Sequence, residues 1–292
     1  MSSTTTTSEA TSTSRGPGAV APGPRALRRV LAGVRGIDPL GVVGVVAIFV
    51  AWWVVTELQL VDPLFLPSMA DVWSFARANF FSSPFIAAQS LGDGGLWESV
   101  RYSTLGVWLG VLVALVIGLP LGLMSSRLVR LRMFSDPLLM TVSGIPILVL
   151  APFFMIWFGP NRVSQVLMLI VFCIPVIYIY AQRAVNNLGS VYEQNARVFG
   201  ASQERIIRDV YLRGTLPEVL GGIRIALAGS WGLCAIAELM GAPKGIGKLI
   251  LSFAANTNVV AIWATVLSFA LVAVLTDVVV VLAMRVLNRW MP

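Results

Sequence analysis

Long uncharged runs, separated by short charged segments, set the pattern of this chain. Six apolar runs stand out, the last two with one acidic residue each: about 40–56, 102–124, 138–158, 163–181, 225–239 (with a start that can lie earlier) and 262–284. Most approach or exceed the ~18 apolar residues that read as membrane-spanning. The pattern predicts an all-α, polytopic membrane protein with six transmembrane helices. Pro120, Pro146, Pro152 and Pro175 fall inside the runs. Proline is tolerated in a span when neighbouring helices re-satisfy the backbone.

One internal segment breaks the pattern. Residues 194–217 carry more charge than any comparable stretch outside the ends. Gly200 can take a left-handed conformation and so stop a helix. Ser202 can cap a second helix, with Glu204 in its positive first turn. Ile206, Ile207, Val210 and Tyr211 recur at helical spacing, while Arg205, Arg208 and Asp209 keep the other side wet. Pro217 then marks entry into the next apolar run. Two short helices about a glycine suit docking into a groove on a soluble partner. A basic hairpin resting on lipid headgroups fits the same spacing.

Charge placement supplies the orientation. With residue 1 on the inner side, all of the 21 Lys and Arg except Arg77, Arg101, Arg162, Lys244 and Lys248 fall in inner segments. The positive-inside rule therefore predicts cytoplasmic termini and a cytoplasmic 194–217 loop. Residues 1–37 read as a disordered tail, Ser/Thr-rich and then Gly/Pro-rich, with basic residues before the first span. Residues 38–292 read as the membrane domain, with its loop at 190–217.

Composition agrees. The chain is 57% hydrophobic and 12% charged, against about 25% charged for soluble domains. Apolar runs continue to the C-terminus, which argues against a secreted protein with a cleaved signal. There is no His, and Cys173 and Cys234 lie inside apolar runs as small core residues. No motif calls for a cofactor, a metal or a nucleic acid, and no catalytic constellation is visible. The segment 241–248 has the wrong glycine spacing for a phosphate loop, and Leu249 stands where Ser or Thr would bind magnesium. It reads as a tight bend before an apolar piece, 249–254, that dips back to narrow the outer mouth.

Glu238 and Asp277 are acidic residues inside apolar runs, and ionisable groups there are functional candidates by default. Glu238 can shape a translocation path or bond to the turn amides that follow. Asp277 can meet solute, another span or a second copy. Trp231, Ser230 and Thr265 can face a central path or serve as packing material. No Arg or Lys falls deep in the predicted spans.

The 194–217 segment resembles the Glu-Ala-Ala loop of bacterial ABC-importer permeases. Ala196, Gly200, Val210 and Leu212 fall on that pattern, as do the downstream Leu216-Pro217 and Gly222-Ile223-Arg224-Ile225-Ala226. Gln194, Asn195 and Arg213 depart from it. Leu66-Pro67-Ser68-Met69-Ala70-Asp71-Val72-Trp73 looks like a stretch of the nitrate/sulfonate/taurine-type permeases, although a Ser68-capped helix explains it as well. Pro152 with Trp157-Phe158-Gly159 is similar too, and so are Ala237-Glu238 with Gly241 and the position of Asp277. The resemblance covers roughly residues 60–290. It implies the type I ABC-importer permease fold with a cytoplasmic coupling helix. The implied partners are a cytoplasmic ABC ATPase dimer that hydrolyses the ATP, an extracytoplasmic substrate-binding protein and a second permease copy, all at a bacterial inner membrane bilayer. The implied solute is a small organic anion such as a sulfonate, taurine or nitrate. On that reading Ala196, Val198, Phe199, Gly200, Ala201, Ser202, Ile206, Ile207, Val210 and Tyr211 meet the ATPase. A secondary transporter working without an ATPase is the alternative; it would show internal repeats and interrupted helices with ion ligands.

Overall fold

The computed structural model describes residues 39–88 and 94–288, and all regular structure among them is helical. The expected disordered tail, 1–37, lies outside the described residues. The chain divides into two compact units, Met1–Val54 and Val55–Pro292. The first contains most of α1 (Pro39–Glu57), uncharged up to its last residue and long enough to cross a membrane.

The second unit opens with α2 (Met69–Asn79) and α3 (Pro84–Ala88). Ser68 caps α2 by accepting from the Asp71 N–H at 3.1 Å and donates back to the Asp71 carboxylate. Then come α4 (Gly95–Ser125), α5 (Val129–Gly144), α6 (Ile147–Phe158) and α7 (Arg162–Asn187). After α8 (Ser190–Val198) and the short α9 (Gln203–Arg205), a π-helical turn (Ile206–Tyr211) leads into α10 (Leu212–Leu239). The chain closes with α11 (Ile246–Ala255) and α12 (Val259–Leu287).

The core forms where α4, α7 and α10 meet. Helices in a membrane gain no hydrophobic drive against lipid tails, so close backbone approach matters more. Small residues on α4 permit it: a Cβ added to Gly110 would lie 2.6 Å from the Leu169 Cβ. Val107, Met168, Cys173, Ala226, Leu227 and Cys234 fill the seam. Both cysteines are free and buried.

By length and apolarity five helices can cross a membrane, or six if α5 and α6 count as one. Four spans differ from their predicted limits. The second begins seven residues earlier, so Glu98 lies on the first turn of α4 rather than in a loop. The fourth runs on to Asn187. In the third, the axis bends by 95° between α5 and α6. Ile145 is extended there (φ −80°, ψ 123°), as expected of a residue whose helical conformation is blocked by the following Pro146. Pro152 does not break α6.

The difference in the fifth span bears on function. Pro217, read as the entry to a new apolar run, does not interrupt the helix. Helical structure continues from Gln203 through Pro217 to Leu239, and Arg208–Leu239 qualifies as one apolar span. Proline removes one N–H, and the helix absorbs the loss next to a π turn. Arg224, expected in a basic inner flank, is therefore carried within the span.

Candidate functional site

Two regions at opposite ends of the 203–239 helical run collect the unusual chemistry. At the first end α8 closes on Gly200 (φ +73°). The Ala201 N–H bonds to the Ala196 carbonyl and the Gly200 N–H to the Arg197 carbonyl, each at 2.9 Å. This is the double-bonded helix stop that a left-handed residue makes possible. Ser202 then caps α9 through the Arg205 N–H at 3.4 Å.

The resulting elbow leaves its apolar tip uncovered. Val198 is 83% and Phe199 88% exposed. Tyr192 and Val191 beside them are also exposed. Ala196, Ala201, Val210 and Tyr211 are half-buried, and Gly200 and Ser202 exposed. Ile206 corrects an expectation: at 1% exposure it is packed into its own chain and offers nothing to a partner. Ile207 sits in the same π turn, and its side chain lies outside the description.

A charged anchor holds the elbow. Glu193 accepts from Arg197 at 2.8 Å and from Arg127 at 3.0 Å, and from the Tyr211 hydroxyl. Arg127, from the α4–α5 turn, also stacks over the Tyr211 ring at 3.9 Å from its centroid. The Arg197 hydrogen bond, with Arg127 behind it, holds the Glu193 carboxyl below the usual glutamate range against the opposing effect of partial burial. One carboxylate thus joins α8, the π turn and the α4–α5 turn.

At the far end Glu238 is completely buried. Its carboxylate accepts from Ser103 on α4 at 2.7 Å, from Gln165 on α7 at 2.8 Å and from the Gly247 N–H at 3.0 Å. Ser103 in turn accepts from the Ile246 N–H at 3.1 Å. Together they satisfy the first two N–H groups of α11, which no helix can satisfy internally. The arrangement is a cap that binds four helices into one knot, with the carboxylate closed off from solvent. The bend at 241–247 is real, and α11 packs Leu249 and Phe253 against Ile86, Leu96 and Ala261.

Of the other path candidates, two are enclosed. Ser230 bonds to the Ala226 carbonyl at 2.7 Å and touches the Cys173 sulfur at 3.0 Å, and Thr265 bonds to the Ala261 carbonyl. Both are buried in helix packing, so neither faces an open path here. Trp231 and Asp277, by contrast, meet at a cleft of about 290 Å³ whose other walls are Leu227, Ala228, Ala273 and Val274. Asp277 is paired there with Arg224 through two short bonds, Nε–Oδ1 at 2.6 Å and Nη2–Oδ2 at 2.8 Å.

A family model described as the binding-protein-dependent transport system inner membrane component matches residues 103–291. The chain belongs to this family. Its relatives include the taurine transport system permease TauC of Escherichia coli K12, 29% identical over 248 residues, covering 85% of this chain and 86% of that protein. A putative aliphatic sulfonates transport permease, SsuC of Bacillus subtilis 168, is 28% identical over 243 residues, covering 83% and 84%. Among solved structures, an inward-facing MetNI methionine ABC transporter aligns with TM-score 0.58 at 20% identity, covering 65% of this chain and 94% of that one. That likeness concerns the fold.

For this permease, sequence reasoning missed the residues that act through others. Arg127, Glu193, Ser103, Gln165 and Arg224 are ordinary polar residues until helices from distant sequence bring them to their partners. Only the Glu193–Arg197 contact carried a local signal, the four-residue spacing of opposite charges on a helix.

Proposed function

We propose that this permease forms the translocation path of an ABC importer for a small organic acid, a sulfonate such as taurine being the first choice. A cytoplasmic ATPase dimer docks on the 194–211 elbow, a binding protein delivers solute to the opposite face, and two copies of the chain enclose the path. Both termini then lie in the cytoplasm. The observation that carries the reading is the pair Val198 and Phe199, exposed at the tip of an elbow whose base is fixed by Glu193. Large apolar side chains on a rigid base are what a docking hot spot requires. The basic residues around the elbow support a cytoplasmic location for it, the side on which an ATPase would reside. The names of the taurine and sulfonate relatives support the solute class.

The test is affinity capture of the permease from its native membrane, followed by cross-linking from a Phe199→Cys variant. Both native cysteines are buried, so background should be low. The expected product is a covalent adduct with a co-purifying ATPase. Capture of an active permease without any ATPase would favour a secondary transporter instead.

A further inference from the structure

Arg224 and Asp277 raise a question that the coupling elbow does not answer. Both lie on helices long and apolar enough to span. Counting 1.5 Å per residue, Arg224 is roughly 22 Å along the helix from Leu239, and Asp277 roughly 27 Å from Val259. Yet their side chains are 50% and 38% exposed in this chain. On helices this apolar, a half-exposed charge pair is placed to face water or protein rather than lipid tails.

The cleft beside the pair adds chemistry. Its walls are apolar, its aromatic liner is Trp231, and its charged liner is Asp277. Its volume is at the small end of ligand pockets, which run to about 300–1,000 Å³. The Trp231 ring makes a T-shaped contact with Phe269, and its buried indole N–H has no acceptor among the described residues.

We propose that this cleft is a solute site selective for small zwitterions, with Asp277 taking the ammonium and Arg224 the acidic group. The charge arithmetic selects that class. A simple anion reaching Arg224 must displace Asp277 and leave its carboxylate stranded. A simple cation on Asp277 strands the guanidinium in the same way. Once a solute fills the apolar-walled cleft and excludes water, stranding one partner of the pair is the costly event. A zwitterion exchanges the internal pair for two pairs with itself, so neither charge loses its counterpart. The Trp231 ring favours an ammonium nearby. With the site empty, the closed Arg224–Asp277 pair gives a stray ion nothing to bind. The inference rests on the transport reading above and narrows its solute to the amino-bearing acids.

The experiment uses the full permease, captured with its ATPase and held in nanodiscs, with tritiated taurine as probe. Ethanesulfonate and ethylamine, each lacking one of the two charges, are the competitors. Unlabelled taurine should compete at least about tenfold better than either. In Asp277→Asn, preference should move about tenfold towards ethanesulfonate, because the carboxylate that penalised a simple anion is gone. A pair that merely braces the helices would lower the yield and leave that ratio unchanged, and an unchanged ratio overturns the proposal. Should Asp277→Asn fail to assemble, Ala228→Leu decides instead: it fills the cleft, and taurine binding that survives it overturns the site. Wild-type protein that binds no taurine, or prefers ethanesulfonate, overturns it as well. Loss of ATPase co-purification in the wild type would count against the transport reading, whereas normal assembly with the wrong competition order counts against this site alone.

Discussion

The two ends of the 203–239 helical run solve opposite problems. At the Glu238 end, polar groups are turned inward: a carboxylate, a hydroxyl and an amide are buried and matched to the bare N–H groups of α11. At the Gly200 end, apolar groups are turned outward, and the charges sit behind them as an anchor. α10 alone accounts for about 42 Å of helix between the two. A buried polar knot resists rearrangement, because every partner lost leaves another unsatisfied. An exposed apolar tip on a fixed base is available to be pushed. The difference teaches where motion can enter this molecule and where it must be resisted.

Substitutions at each end should therefore fail in different ways. The largest effect is expected from Gly200→Asp. A Cβ there meets nothing within 4 Å, and Asp tolerates a left-handed backbone, so the fold should survive with a charge set beside Phe199. Solute uptake should fall to background at unchanged membrane yield; retained uptake would show that the elbow is not the handle. Next, Glu238→Ala should lower thermal stability in detergent by about 3–5 kcal/mol, since it leaves buried donors on Ser103, Gln165 and Gly247 unpaired. Glu238→Gln keeps an acceptor and should recover most of that loss. If alanine and glutamine melt alike, the capping role is wrong.

A smaller effect is expected from Phe199→Ala. Truncating an exposed aromatic anchor should weaken ATPase association by about 2 kcal/mol, or about thirtyfold in Kd, without changing the melting of the permease. Acid should have the smallest effect. The Glu193 carboxyl is depressed in the folded state, so its contribution is complete above the ordinary glutamate value of about 4.3 and fades as pH falls through the lower folded value. Amide exchange across α8 should thus be flat from pH 7 to 5 and quicken only in stronger acid, beyond the intrinsic pH trend. Glu193→Gln should remove that acid step. A transition near neutrality would point to a different anchor.

Much of this was legible from residue order. Apolar runs located the spans, because hydrocarbon demands some twenty apolar residues whatever the neighbours are. Gly200 and Ser202 announced the elbow, since a left-handed stop and a cap are local devices. The two departures of most consequence both lie at prolines. At Pro146, read as tolerated within one span, the axis turns by 95°, an angle that depends on how the flanking helices pack. At Pro217 no break occurs, because the surrounding helical run outweighs one missing N–H. That misreading hid Arg224 in a supposed flank.

What sequence by itself determined is the class of molecule: a helical membrane protein with one charged internal elbow. Those properties follow from composition and from spacing within a turn or two of helix. Tertiary structure alone decided that Ile206 is buried and Phe199 exposed, that Glu238 caps α11, and that Arg224 meets Asp277 across 53 positions of chain. Each is a pairing between helices, and the energy of a polar or charged group is set by the partner it finds there, which no local pattern records.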